Sequence, residues 1–82
     1  MNRILVKIYF PIIEENFDVW IPLDKKIYQI INLLAKNILK INLTDKTENM
    51  PFLYNKYTGF CYDLDIEIKD TDIKNSTELI FI

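Results

Sequence analysis

The sequence holds a single cysteine, a single glycine and no histidine, and each scarcity removes a class of chemistry. One cysteine, Cys61, cannot close an intramolecular disulfide. A domain of 82 residues in an oxidising compartment would ordinarily carry several bridges, so a reducing cytoplasm is the expected location. One thiol also falls short of the four ligands of an iron–sulfur cluster. Without a histidine to act as its base, Cys61 reads as a small residue on a short strand rather than as a nucleophile.

Basic residues are not in excess. Ten Lys and Arg stand against twelve Asp and Glu, a formal net charge of -2, which cannot neutralise a phosphate backbone, so no nucleic acid is expected as a partner. No apolar run approaches the roughly 18 residues of a membrane span, and no basic segment with an apolar run and a cleavage site opens the chain. Direct membrane insertion is therefore not expected. Asp63-x-Asp65-x-Glu67 has the spacing that begins a calcium loop, but Ile68 stands where that loop needs glycine and Lys74 where it needs glutamate. A solvated acidic edge is the plainer reading. Phosphate-binding glycine loops and zinc spacings are missing as well, so no catalytic residue, cofactor or metal is expected, and the chain reads as a non-enzyme.

Apolar residues are plentiful, at half the chain, and their spacing is regular. Ile4, Val6, Ile8 and Phe10 alternate with Leu5, Lys7 and Tyr9, which describes a strand with one fully apolar face. After an interruption from Pro11 to Asn16, the residues Phe17, Val19, Ile21 and Leu23 alternate with Asp18, Trp20 and Pro22, a second strand able to return antiparallel. Asp24 is a candidate helix N-cap. Beyond it Ile27, Ile30, Ile31, Leu34, Ile38 and Ile41 recur at helical spacing, so a helix from Asp24 to Ile41 is expected with this face on the sheet. Lys36 and Lys40 sit where the helix dipole favours cations, Lys25 and Lys26 where it opposes them.

A polar connection over 42–50 leads to a third strand from Phe52 to Lys56, a turn at Tyr57-Thr58-Gly59 and a short fourth strand from Phe60 to Asp63. Gly59 is placed to supply the positive φ of that turn. Another polar stretch, Lys69 to Glu78, precedes the apolar segment Leu79-Ile80-Phe81-Ile82. So apolar a strand must be paired, and the natural slot is central, beside the first strand. The order predicts one α+β domain over 1–82: a β-grasp with a mixed sheet of about five strands and one helix packed across it.

The closing run, Ile68, a short polar loop, Ile73-Lys74-Asn75 and then Leu79 to Ile82, resembles the end of ubiquitin-like domains. Together with Leu53-Tyr54-Asn55-Lys56-x-Thr58-Gly59 it is similar to the YukD/EsaB family of small ubiquitin-like proteins. Where such domains often have glycine, this chain has Asp72 and Ser76; Asp tolerates the left-handed region and Ser is acceptable in other turns. The resemblance implies a cytoplasmic accessory of the type VII secretion systems of Gram-positive bacteria. It also implies a protein partner, such as a cytoplasmic domain of a membrane secretion component. The alternative is a ubiquitin-like interaction module with an unrelated partner. The sequence stops at Phe81-Ile82 without a Gly-Gly tail, so conjugation to targets and sulfur carriage are not expected.

With the even-numbered residues of the first strand turned to the helix, the other sheet face carries Leu5, Lys7, Tyr9, Trp20, Tyr54, Ile80 and Ile82. Lys7, Tyr9, Trp20, Tyr54 and Ile80 are the candidate protein-binding residues, since an outward Trp among Tyr and Ile has the chemistry of an interface anchor. Cross-strand packing that steadies the sheet by about 0.2–1 kcal/mol per pair is the competing account. Lys25 and Lys26 offer another candidate interface, toward an acidic partner, against the reading of a solvated pair.

Overall fold

The computed structural model describes residues 2–41 and 51–82. Strand β1 (Arg3–Phe10) pairs antiparallel with β2 (Glu15–Pro22), helix α1 (Ile27–Leu34) follows, and β3 (Leu53–Asn55) and β4 (Glu78–Phe81) complete the sheet. Among the described residues the strand order is β2-β1-β4-β3, with β4 parallel to β1 and antiparallel to β3. The last strand thus occupies the central slot, as its apolar composition requires, and the sheet is mixed.

Alternation decides the core. Ile4, Val6, Ile8 and Phe10 of β1 are buried, as are Ile21, Leu53, Leu79 and Phe81 from the other strands, and they meet Ile27, Ile30, Ile31 and Leu34 of α1 in one cluster. Phe10 stands at its centre, 4.9 Å from the ring of Phe81 and 5.5 Å from that of Phe17. Val19 is only half-buried, at the margin of the same cluster.

The helix begins later than its apolar period predicts. Asp24 lies in a turn, and the N-cap is Lys26, in extended conformation, whose amide donates to the Gln29 side chain at 2.9 Å. The cause is tertiary: Lys26 bridges to Glu67, and the Lys25 carbonyl accepts from the Ile68 amide at 2.9 Å, so these residues serve as a strand-like strap before any helix can start. Lys25 and Lys26 therefore precede the first turn instead of lying in it. At the other end α1 widens into a π-helical turn, Ala35–Leu39, closed by Lys40 at φ 61°. The wider turn and the left-handed residue carry the chain off the apolar face, leaving Ile38 half-buried and Ile41 46% exposed.

The second hairpin is shorter than expected. β3 covers three residues, and the expected fourth strand reduces to one bridge, Tyr54 to Cys61. Asn55 ends the ladder because its side-chain oxygen accepts from the amides of Tyr57 at 2.9 Å and Thr58 at 3.1 Å, which folds the backbone into the turn. Gly59 takes φ 76° there, as its position predicts. Of the two positions where glycine is replaced, Ser76 adopts the left-handed region, at φ 75°, and Asp72 does not. The 42–50 connection lies outside the described residues.

Candidate protein-interaction face

The strands that bury one set of side chains present the alternate set on the open face, and the register arranges them in rows. Leu5 stands opposite Trp20. Lys7 stands between Asp18 of β2 and Glu78 of β4. Tyr9 faces Asn16 on one side and Ile80 on the other, and Ile80 faces Tyr54. The five candidate residues thus share one face in three places: Tyr9, Ile80 and Tyr54 form an apolar row, Trp20 belongs with Leu5 at the other end, and Lys7 lies between them. Leu5 and Tyr9 are separated by about 13 Å along the strand.

Between the two ends runs a charged row of alternating sign. Lys56 reaches Glu78 at 3.2 Å, and the Tyr57 hydroxyl donates to the second Glu78 oxygen. The Tyr57 bond, with Lys56 second, holds the Glu78 carboxyl below its ordinary range. The same bond pushes the Tyr57 phenol up. In the apolar row the neighbouring Cys61 thiol raises the Tyr54 phenol.

Trp20 is 57% exposed, and the guanidinium of Arg3 lies 5.5 Å from its ring centroid. A cation over an exposed indole contributes on the order of 0.5–1 kcal/mol. Trp20 sits on β2, the last strand on its side of the sheet, and also borders a groove of about 240 Å³ formed with Ile30, Leu33 and Asn37 of the helical segment. Arg3 was not among the residues selected from sequence. Its signal was present, since an odd-numbered position of the first strand must share the outer face.

The residues that carry the family resemblance have structural work. The Asn75 side chain accepts from the Leu5 amide at 2.9 Å while the Ser76 amide donates to the Leu5 carbonyl, which clips the loop before β4 onto β1. Ile73 is buried, and Asn55 both shapes its turn and donates to the Tyr62 hydroxyl at 3.2 Å. Among the described residues no cluster of His, Cys, Asp and Glu could hold a metal ion, and no helix is long and apolar enough to cross a membrane.

No family model and no curated protein matches the sequence. Solved structures do match its fold. A chain from a structure on molecular mimicry of SUMO that promotes DNA repair superposes with a TM-score of 0.78 at 15% identity, over 100% of this chain and 92% of that one. The ubiquitin-like domain of an Arabidopsis thaliana protein gives 0.67 at 14% identity, over 100% of this chain and 78% of that one. A chain of the MycP5-free ESX-5 inner membrane complex gives 0.63 at 11% identity, over 100% of this chain but 21% of that one. At such identities the likeness speaks for the fold, and the fold of this chain is the ubiquitin-like β-grasp.

Proposed function

We propose that the chain is a non-enzymatic, unconjugated protein-interaction module of the YukD/EsaB kind, an accessory or regulator of a type VII secretion system acting in the cytoplasm. The observation that carries the interaction reading is Trp20, exposed beside Arg3 on an open sheet face. Large aromatics and arginine are the residue types that dominate interface energetics. The secretion setting is supported by the resemblance of the Leu53–Gly59 and Ile73–Asn75 segments and by the presence of the same fold within a chain of an inner membrane complex. The module docks this face on a cytoplasmic domain of a larger membrane assembly.

The test is capture of the tagged chain from its native cells, followed by affinity measurement against the recovered secretion component. Trp20→Ala should leave the fold intact and weaken binding by about 2 kcal/mol, roughly thirtyfold. Tyr54→Ala asks whether the far row belongs to the same interface. If both variants bind unchanged, the interface lies elsewhere, with Lys25 and Lys26 the next place to test. If deleting the gene leaves export by the secretion system unaltered, the alternative of a ubiquitin-like module with an unrelated partner takes its place.

A further inference from the structure

Away from the open sheet face, the irregular segment between β3 and β4 forms a cleft of about 340 Å³. Its walls are Phe60, Tyr62 and Ile66, and its rim carries Asp63, Asp70 and Asp72. Phe60 is 58% exposed, an expensive place for a phenyl ring that has no core to fill, and it stands edge-to-face with Tyr62 at 5.2 Å. The rim is already organised. Asp72 accepts the Tyr62 hydroxyl at 2.6 Å through one oxygen, and Asp63 accepts the Asp65 amide at 2.9 Å through one of its own. Each has a second oxygen, and the Asp70 side chain has no hydrogen bond or ion pair among the described residues.

The charged residues that line the cleft are Asp63, Asp70 and Asp72, and Lys69, the neighbour of Asp70 in sequence, is turned to Glu67 at 3.3 Å. None of the residues lining the cleft is basic. An apolar ligand would leave the carboxylates facing it, and an anion would be repelled. A metal ion is poorly served by a floor of aromatic and aliphatic carbon. A guanidinium fits both parts, because its plane stacks on an aromatic ring while its N–H groups fork to carboxylates.

We propose that this cleft is a second docking site, and that it takes an arginine side chain from a basic segment of a partner protein. Phe60 supplies the stacking surface, and Asp70 with Asp72 receives the guanidinium. The site stands independently of the open sheet face, so it holds or fails whatever becomes of Trp20.

The test is an NMR titration of the isotopically labelled full chain with a capped peptide of alternating glycine and arginine. Copies with citrulline or lysine in place of arginine are the controls. Saturable shifts should concentrate at Phe60, Tyr62, Ile66 and Asp70 and should weaken as salt is raised. The citrulline copy should not saturate, and the lysine copy should bind more weakly. Phe60→Ala and Asp70→Asn, both at exposed positions, should each reduce affinity about tenfold while the rest of the spectrum stays superimposable. Equal binding by the citrulline or lysine copy, shifts that map elsewhere, or undiminished affinity in both variants would overturn the assignment.

Discussion

The first half of the molecule and the last third are built by different means. From Arg3 to Leu34 the chain is held by a long antiparallel ladder and by apolar residues at periods of two and of three to four. From Pro51 onward it has two short strands, and side chains hold much of the backbone: Asn55 at its turn, Asp63 on the Asp65 amide, the Thr71 hydroxyl donating to the Ile68 carbonyl, Asn75 on Leu5. Yet Leu53, Tyr62, Ile68 and Ile73 belong to the same buried cluster as the strands and helix. Irregular backbone here is therefore not peripheral. Its polar residues satisfy the main chain so that a few apolar ones can reach the core.

The sharpest way to break that equivalence is to truncate one fully buried residue in each region. Ile8→Ala in β1 and Ile68→Ala in the 3₁₀ turn Ile68–Asp70 should each cost about 2–5 kcal/mol in urea unfolding, since both side chains are fully enclosed. A cost below about 1 kcal/mol at Ile68, with the full cost at Ile8, would show the irregular segment to be a flap instead of part of the core.

A second effect, somewhat smaller, belongs to Tyr62. Burial first, and then the hydrogen bond to Asp72, pushes its phenol up to about 12 from 10.0, although Asn55 acts in the opposite sense. Because the folded value is raised, the stabilisation is fully present below pH about 10 and is lost as the pH rises through about 12, a change on the order of 2–3 kcal/mol. Tyr57 and Tyr54 are shifted in the same direction, so Tyr62→Phe should flatten the alkaline loss without abolishing it. Unfolding free energies between pH 9 and 12.5 check this; an unchanged pH slope in the variant would remove Tyr62 from the account.

The smallest effect lies at the turn before β4. Ser76 holds φ 75°, where a side chain is strained, so Ser76→Gly should relieve that strain while increasing the freedom of the unfolded chain. The two oppose each other, and a net gain of about 0.5 kcal/mol is expected in thermal unfolding. At Gly59, also at positive φ, Gly59→Ala should cost about 1 kcal/mol although a Cβ there would meet no neighbouring atom within 4 Å. Equal results at the two sites would mean that backbone strain does not govern either turn.

Alternation along β1, β2 and β4 was enough by itself to assign the inner and outer faces. Leu79 and Phe81 are buried while Ile82 is 63% exposed, and the central place of the last strand follows from its apolar composition. Those features are legible because a period of two leaves only one arrangement that buries the apolar set. Helix existence and its core residues were legible for the same reason at a different period. The helix start was not: Asp24 has the right chemistry for a cap, but Lys25 and Lys26 are engaged by Ile68 and Glu67, forty residues away in the chain. Nor could spacing show that a charged row parts Trp20 from Tyr54 and Ile80, because that depends on the registers that set Lys7 between Asp18 and Glu78. The burial of Tyr62 and the cleft it shares with Phe60 and Asp70 belong wholly to tertiary structure. Irregular segments have no period from which side-chain direction can be read, so what their residues face is decided only when the remainder of the chain is in place.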